Sequence, residues 1–166
     1  LFVAAPFSGT GGIPESGAAF VFLASELDEV MTPDLAHIRI YAQAYDARLG
    51  SSLASLGDLD GDGRPELAVG SENGEYYLGV GAVVIRGDSA GVLSIYDPIL
   101  GFGHPWSGSP SWDMGIFVTN VGDWDGDGLA EVGVSAPGYP GGDTSPYSAV
   151  LYFSGATLQA AMLPPD

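Results

Sequence analysis

The chain has no cysteine, no lysine and only two histidines, His37 and His104. Without cysteine there is no disulfide and no thiol chemistry, and two isolated histidines make no zinc cluster. The only cations among the side chains are four arginines, Arg39, Arg48, Arg64 and Arg86, set against 21 acids for a formal charge of -17. That imbalance argues against nucleic acid and against anionic lipid as partners. Two divalent ions would offset four of those charges, and the remainder suits solubility or a salty habitat. No apolar run approaches the length of a membrane span, so no membrane insertion is expected. There is no signal-peptide pattern and no initiator Met. The opening Leu1-Phe2-Val3-Ala4-Ala5-Pro6 reads as a mature product or an excised fragment. No Gly-X-Ser-X-Gly elbow occurs, no Asn-X-Ser/Thr sequon is present, and no stretch has a convincing helical period.

What is abundant is glycine, 26 residues, and proline, 12, in a chain of 166 with 46% hydrophobic residues. That is enough apolar matter for one domain's core, cut into short strands by many turns. The strands repeat. Leu1-Phe2-Val3-Ala4-Ala5-Pro6, Leu67-Ala68-Val69-Gly70-Ser71 and Val132-Gly133-Val134-Ser135-Ala136-Pro137 are β-type runs ending in small residues. A Gly-rich loop follows each, and then a second run: Gly17–Phe22, Gly81–Arg86 and Ser148–Phe153. A last strand is expected in His37–Tyr41 and in Val92–Tyr96, where residues alternate. In the third unit it would have to come from Gly155 to Leu163, although Ala156–Met162, like Glu26–Met31, could hold a turn of helix.

Between the repeats lie two near-identical acidic loops, Asp58-Leu59-Asp60-Gly61-Asp62-Gly63-Arg64-Pro65-Glu66 and, 65 residues on, Asp123-Trp124-Asp125-Gly126-Asp127-Gly128-Leu129-Ala130-Glu131. Carboxylates at positions one, three and five of a curled loop converge on one point, and the glycines at four and six permit the curl. Such a cluster carries mutual repulsion unless a cation sits in it. A hard divalent ion with oxygen ligands is expected, calcium above all. Position seven can offer its carbonyl. The calcium loop of the helix–loop–helix hand closes on a Glu at position twelve. Here position twelve is Val69 or Val134, and the closing acid stands at nine, where a strand begins.

This pattern resembles the FG-GAP repeat of integrin-α-type β-propellers over nearly the whole chain. Leu49-Gly50 and Met114-Gly115 stand for the Phe-Gly element. Ala4-Ala5-Pro6, Gly70-Ser71 and Ser135-Ala136-Pro137 stand for the Gly-Ala-Pro element. The resemblance implies two calcium sites. Their ligands would be Asp58, Asp60, Asp62, Glu66 and the carbonyl of Arg64, then Asp123, Asp125, Asp127, Glu131 and the carbonyl of Leu129. The family usually has Asp at position nine, and both copies here have the longer Glu. The fold class expected is all-β, a propeller-like array of four-stranded antiparallel blades. A partial blade at 1–44 lacks its first strand, a full blade spans 45–104, and a third spans 105–166. That makes about two and a half blades, short of a closed ring of about four to eight.

The remaining candidates carry less. His37 reads as a surface residue of an alternating strand, and His104 lies in a loop beside Pro105 and Trp106. Trp106, Trp112, Tyr76, Tyr77, Tyr139 and Tyr147 lie in or near loops, where aromatics cap strands or stack on sugars. The count of acids leaves room for a pair of glycosidase carboxylates, yet the acids cluster where metal explains them and leave Glu15, Glu26, Glu72, Glu75, Asp113 and Asp143 scattered. The leading expectation is therefore a non-enzymatic, calcium-stabilised propeller segment of a secreted or surface protein, because such sites fill where calcium is millimolar. Its role would be structural or adhesive, with a protein or glycan ligand and with other blades as neighbours. The alternatives are a filament subunit that polymerises when copies of the chain complete one another's open strand edges, and the accessory propeller of a secreted hydrolase or lyase.

Overall fold

The computed structural model describes residues 1–9, 11–73, 80–95, 115–137 and 149–162, and the backbone of 100–102. His104, Trp106, Trp112, Tyr76, Tyr77, Tyr139, Tyr147, Glu75, Asp113 and Asp143 lie outside the described residues. Among the described residues, eleven strands form three sheets. The first contains β1 (Phe2–Ala5), β2 (Ala18–Val21), β3 (Ile38–Tyr41) and β7 (Gly91–Ser94) in that order. The second contains β4 (Leu49–Gly57), β5 (Glu66–Ser71), β6 (Ala82–Ile85) and β8 (Leu100–Phe102). The third has order β11-β10-β9, from β9 (Val118–Gly122), β10 (Glu131–Ala136) and β11 (Ala149–Phe153). This is the predicted all-β array of blades, with mostly antiparallel pairing between strands adjacent in sequence.

Two last strands fall elsewhere than the sequence suggested. Gly91–Ser94 does not complete the second sheet. It crosses to the outer edge of the first and pairs parallel with β3, Ile38 opposite Gly91 and Tyr41 opposite Ser94. The second sheet is completed by β8, antiparallel to β6. The alternation of residues 91–95 suits either edge equally, so only the packing of the two sheets decides. In the third unit, Gly155–Met162 is a helix, α1, rather than a strand. The run from Ala156 to Met162 has no β-branched residue except Thr157, which favours helix. Short 3-10 turns at Ala24–Glu26 and Pro33–Leu35 flank the segment where a helical turn was expected.

The apolar residues sort by sheet face. One core lies between the first and second sheets and joins Ala19, Ile38, Ile40, Leu49, Val69, Val83 and Ile85. A second lies between the second and third sheets, where Leu56, Leu59, Ala68, Ala82 and Val84 meet Val118, Val132, Val134 and Ala136, with Leu158 and Met162 of α1. A third is smaller. Ala18, Phe20, Phe22 and Ala36, with Met31 packed on them, line the outward face of the first sheet. Strand alternation thus gives each sheet two apolar faces, the signature of sheets stacked on both sides.

Close stacking needs small residues at the joints. Gly50 sits at φ +92, where a β-carbon would come within 2.7 Å of the Ala18 carbonyl oxygen and 2.8 Å of the Ala4 β-carbon. Gly115 repeats this at φ +91, against Gly81 and Ala82, with Gly70 beside it. Because Ala18 takes the place of Gly81 in this joint, β2 superposes one residue away from the pairing of Gly17 with Gly81 suggested by sequence. Gly17 instead forms a parallel bridge to Leu49. Farther out, Arg48 pins the first joint through Glu15 at 3.1 Å, Asp46 at 2.9 Å and Glu72 at 3.1 Å, with its guanidinium 5.4 Å above the Phe7 ring.

Candidate metal centres

Each acidic loop joins an innermost strand to the next strand of the same sheet, β4 to β5 and β9 to β10. Both innermost strands end in the same irregularity. Gly57 pairs with Glu66 and Ser55 with Leu67, leaving Leu56 bulged, while Gly122 pairs with Glu131 and Asn120 with Val132, leaving Val121 bulged. A bulge bends the strand and raises its twist, which turns the chain into the loop.

The two loops then match hydrogen bond for hydrogen bond. In the first, Asp58 accepts from the Gly61 N–H at 2.7 Å and the Gly63 N–H at 2.9 Å, Asp60 from Asp62 at 3.1 Å, and Asp62 from Arg64 at 2.7 Å. In the second, Asp123 accepts from Gly126 at 2.7 Å and Gly128 at 3.0 Å, Asp125 from Asp127 at 3.1 Å, and Asp127 from Leu129 at 2.8 Å. These bonds curl the backbone and aim the acids inward. One oxygen from each of Asp58, Asp60 and Asp62 lies within 4.8 Å of the others, and the same holds for Asp123, Asp125 and Asp127. Such a set of hard oxygen donors fits a divalent cation of the calcium type. Arg64 and Leu129, expected to offer carbonyls, occupy the seventh position in both curls.

Glu66 and Glu131 do a different job in the geometry. Both are fully buried. Glu66 accepts from the Leu59 N–H at 2.6 Å and the Gly87 N–H at 3.3 Å, and Glu131 from Trp124 at 2.6 Å and Gly155 at 3.3 Å. Each carboxylate therefore ties the second residue of its loop to the segment leaving the sheet's third strand. Burial raises the Glu66 carboxyl above the ordinary carboxylate range; the two N–H groups oppose that shift, and Asp60 and Asp62 add to it. The clusters of mutually close acids hold the aspartates and not these glutamates.

The loops differ in their surroundings. Arg86 Nη2 lies 3.0 Å from Asp60 Oδ2, a buried atom that takes no hydrogen bond, and Arg86 Nε lies 3.2 Å from Asp88. The matching position in the third sheet, just before Gly155, is Ser154. Among the described residues no ion pair reaches the second loop. Leu59, at position two of the first loop, is 1% exposed, and its carbonyl accepts from Gln159 Nε2 of α1. Trp124, at position two of the second, is 78% exposed and stands edge-on to Tyr152 with ring centres 6.1 Å apart. Sequence reading missed Arg86, Gly87, Gly155 and Gln159. Aligning the ends of the third strands would have exposed the Arg86–Ser154 difference, but nothing local marks Gln159, which acts 100 residues away. His37, expected on the surface, is half-buried, with its Nε2 buried and unpaired.

Stacked, mostly antiparallel sheets, joined through glycine contacts and two of them carrying an acidic curl, define the class of β-propeller blades. Residues 49–85 match the FG-GAP repeat model, from the inter-sheet glycine through the first acidic loop to the end of β6. The chain is also 32% identical over 128 residues to integrin alpha-5 of Xenopus laevis, an alignment covering 77% of this chain and 12% of the integrin. The chain carries an FG-GAP repeat of the integrin-α type of β-propeller blade. It spans a small part of the length of that curated relative.

Proposed function

We propose that the chain is a calcium-stabilised propeller segment of a secreted or cell-surface protein, with a structural or adhesive role and no catalytic one. The observation that carries this reading is the duplication of the acidic curl, its hydrogen bonds repeated within 0.1 Å in two loops of different surroundings. Asp58, Asp60, Asp62 and Asp123, Asp125, Asp127 would hold the ions, with the Arg64 and Leu129 carbonyls and the acids Glu66 and Glu131 completing the two loops. Bound calcium would screen the repulsion and fasten the first strand of a blade to the second. The blades are read as 1–44, 45–104 and 105–166. An extracellular setting follows from the likeness to an integrin and from the millimolar calcium such loops require.

The partner we infer most directly is a further blade of the same kind. Val121, Trp124, Val150 and Tyr152 of the third sheet occupy the places of Leu56, Leu59, Ala82 and Val84 of the second. The latter four are at most 1% exposed because the third sheet covers them, whereas the former four are 43–78% exposed. The outward face of the first sheet is instead packed by Met31, so a second copy of the chain would find no matching face there. A protein or glycan ligand would then meet the loops of the completed array.

The test is calorimetric. A ligand bound only by the native state stabilises by about 4 kcal/mol at a thousandfold excess over its Kd. Excess chelator should therefore lower the melting temperature substantially, and restored calcium should recover it. An unchanged melting temperature would remove calcium from the account.

A further inference from the structure

We propose that Arg86 is a built-in counter-ion of the first acidic loop, so that the two loops differ in their need for a divalent cation. Asp58–Glu66 would keep its curl without calcium and bind it more weakly, and Asp123–Glu131 would depend on it. This rests on the calcium reading above and goes beyond it, since a repeated motif implies equal sites.

In both loops the third-position aspartate accepts at Oδ1 from the N–H two residues on. In the first loop its other oxygen, Asp60 Oδ2, faces Arg86 Nη2 at 3.0 Å, with the Asp60 side chain 2% exposed. A guanidinium cannot lose its charge at this position, and solvent screens so buried a carboxylate poorly. Arg86 is oriented from its other side by Asp88. It is carried on the residue between β6 and Gly87, whose N–H holds Glu66. The tie to the glutamate recurs in the third sheet without the two charges, since Ser154 and Ala156 stand where Arg86 and Asp88 do. Gly155 holds Glu131 as Gly87 holds Glu66, but the preceding residue is Ser154, whose hydroxyl meets Thr157 at 2.9 Å instead of the loop. Asp125 is exposed, and no described cation pairs with it.

Two consequences follow from one charge. Without metal, Arg86 neutralises part of the repulsion among Asp58, Asp60 and Asp62, and the second loop has no such relief. With metal, the same guanidinium is a like charge next to a ligand of the ion. Groups one step removed from an ion change its affinity by about 10- to 100-fold, and the sign here is unfavourable. Asp62 has its counterpart in Asp127. Asp88, matched by Ala156, offsets part of the Arg86 charge, but it is Arg86 that contacts an aspartate of the loop.

The test exchanges the two residues. Wild-type chain, R86Q, R86K and S154R would be titrated with calcium chloride from the chelated state. Amide hydrogen exchange would be read separately over 58–66 and 123–131. In the wild type, 123–131 should gain protection at a calcium concentration about ten times lower than 58–66. R86Q should tighten the first loop about tenfold and speed its exchange in chelator, while R86K, which keeps the charge, should leave both near wild type. S154R should weaken the second loop and slow its metal-free exchange, which keeps the idea open to refutation even if R86Q folds poorly. R86Q leaving the first loop's calcium midpoint unchanged, or raising it, overturns the proposal while calcium binding stands. No response to calcium in either loop overturns the calcium reading and this proposal with it.

Discussion

Replacing Gly50 by alanine tests whether the glycine of the Phe-Gly element is there to let two sheets touch. Two costs add. The residue sits at φ +92, a region where an L-residue is disfavoured by about 1–2 kcal/mol. The new methyl would also stand 2.7 Å from the Ala18 carbonyl oxygen and 2.8 Å from the Ala4 β-carbon. Neither can swing aside as the tip of a flexible side chain would. Forcing one methyl group into a packed joint costs about 1–3 kcal/mol. The sum, about 2–5 kcal/mol, is a large part of the roughly 5–15 kcal/mol that holds an ordinary domain together. The control is Gly91, with φ +84 and nothing within 4 Å of its β-carbon position. G91A carries only the backbone term, about 1–2 kcal/mol. For a chain of this size each kcal/mol moves the melting temperature by about 2–4 °C. G50A should therefore melt well below G91A, by several degrees, with calcium held in constant excess for both. Equal losses would show that backbone conformation alone requires glycine at Gly50, and that contact between the sheets does not.

Other outcomes follow from the buried glutamates. E66A leaves the buried Leu59 N–H and the partly buried Gly87 N–H without their acceptor, at about 1–3 kcal/mol each; urea unfolding in chelator should show a loss of about 2–6 kcal/mol, and an intact stability there would mean Glu66 acts only through metal. The pH dependence carries a definite sign. Burial raises the Glu66 carboxyl in the folded state, so the folded protein holds that proton more tightly than the unfolded chain. The resulting stabilisation is full below the ordinary carboxylate range and is lost as pH rises through the raised value. Metal-free protein prepared by dialysis should thus lose melting temperature as pH rises above the ordinary carboxylate range, and E66Q should lack that component. A pH profile identical in E66Q and wild type would sink it.

The architecture and the candidate site were legible to different depths. The convergence of the aspartates was legible: Asp and Gly at fixed positions curl both loops alike because that information is local. The ties of Glu66 to Gly87 and Glu131 to Gly155 were not, since they join residues more than twenty positions apart. Strand existence was equally local. Strand destination was not. Val92 to Ile95 has the alternation of any edge strand, and its partner β3 in the first sheet was chosen by the approach of two sheets, not by its own residues. The helix at Gly155–Met162 was readable as a weak helical signal against a repeat that demanded a strand, and local propensity won.

By itself the sequence determined the blade-type repeat, the two acidic curls and the small residues that stand at the joints, because each depends on neighbours a few positions away. Tertiary structure alone decided which loop is covered and which is bare, and which loop has a guanidinium. Leu59 is shut in by α1 and the third sheet, and Trp124 is exposed, with no described sheet packed on it. Arg86 reaches Asp60 only because the third strand of its sheet ends beside the loop. Two stretches nearly identical in sequence thus have unlike environments, since burial and charge at a loop are set by whatever the fold brings against it.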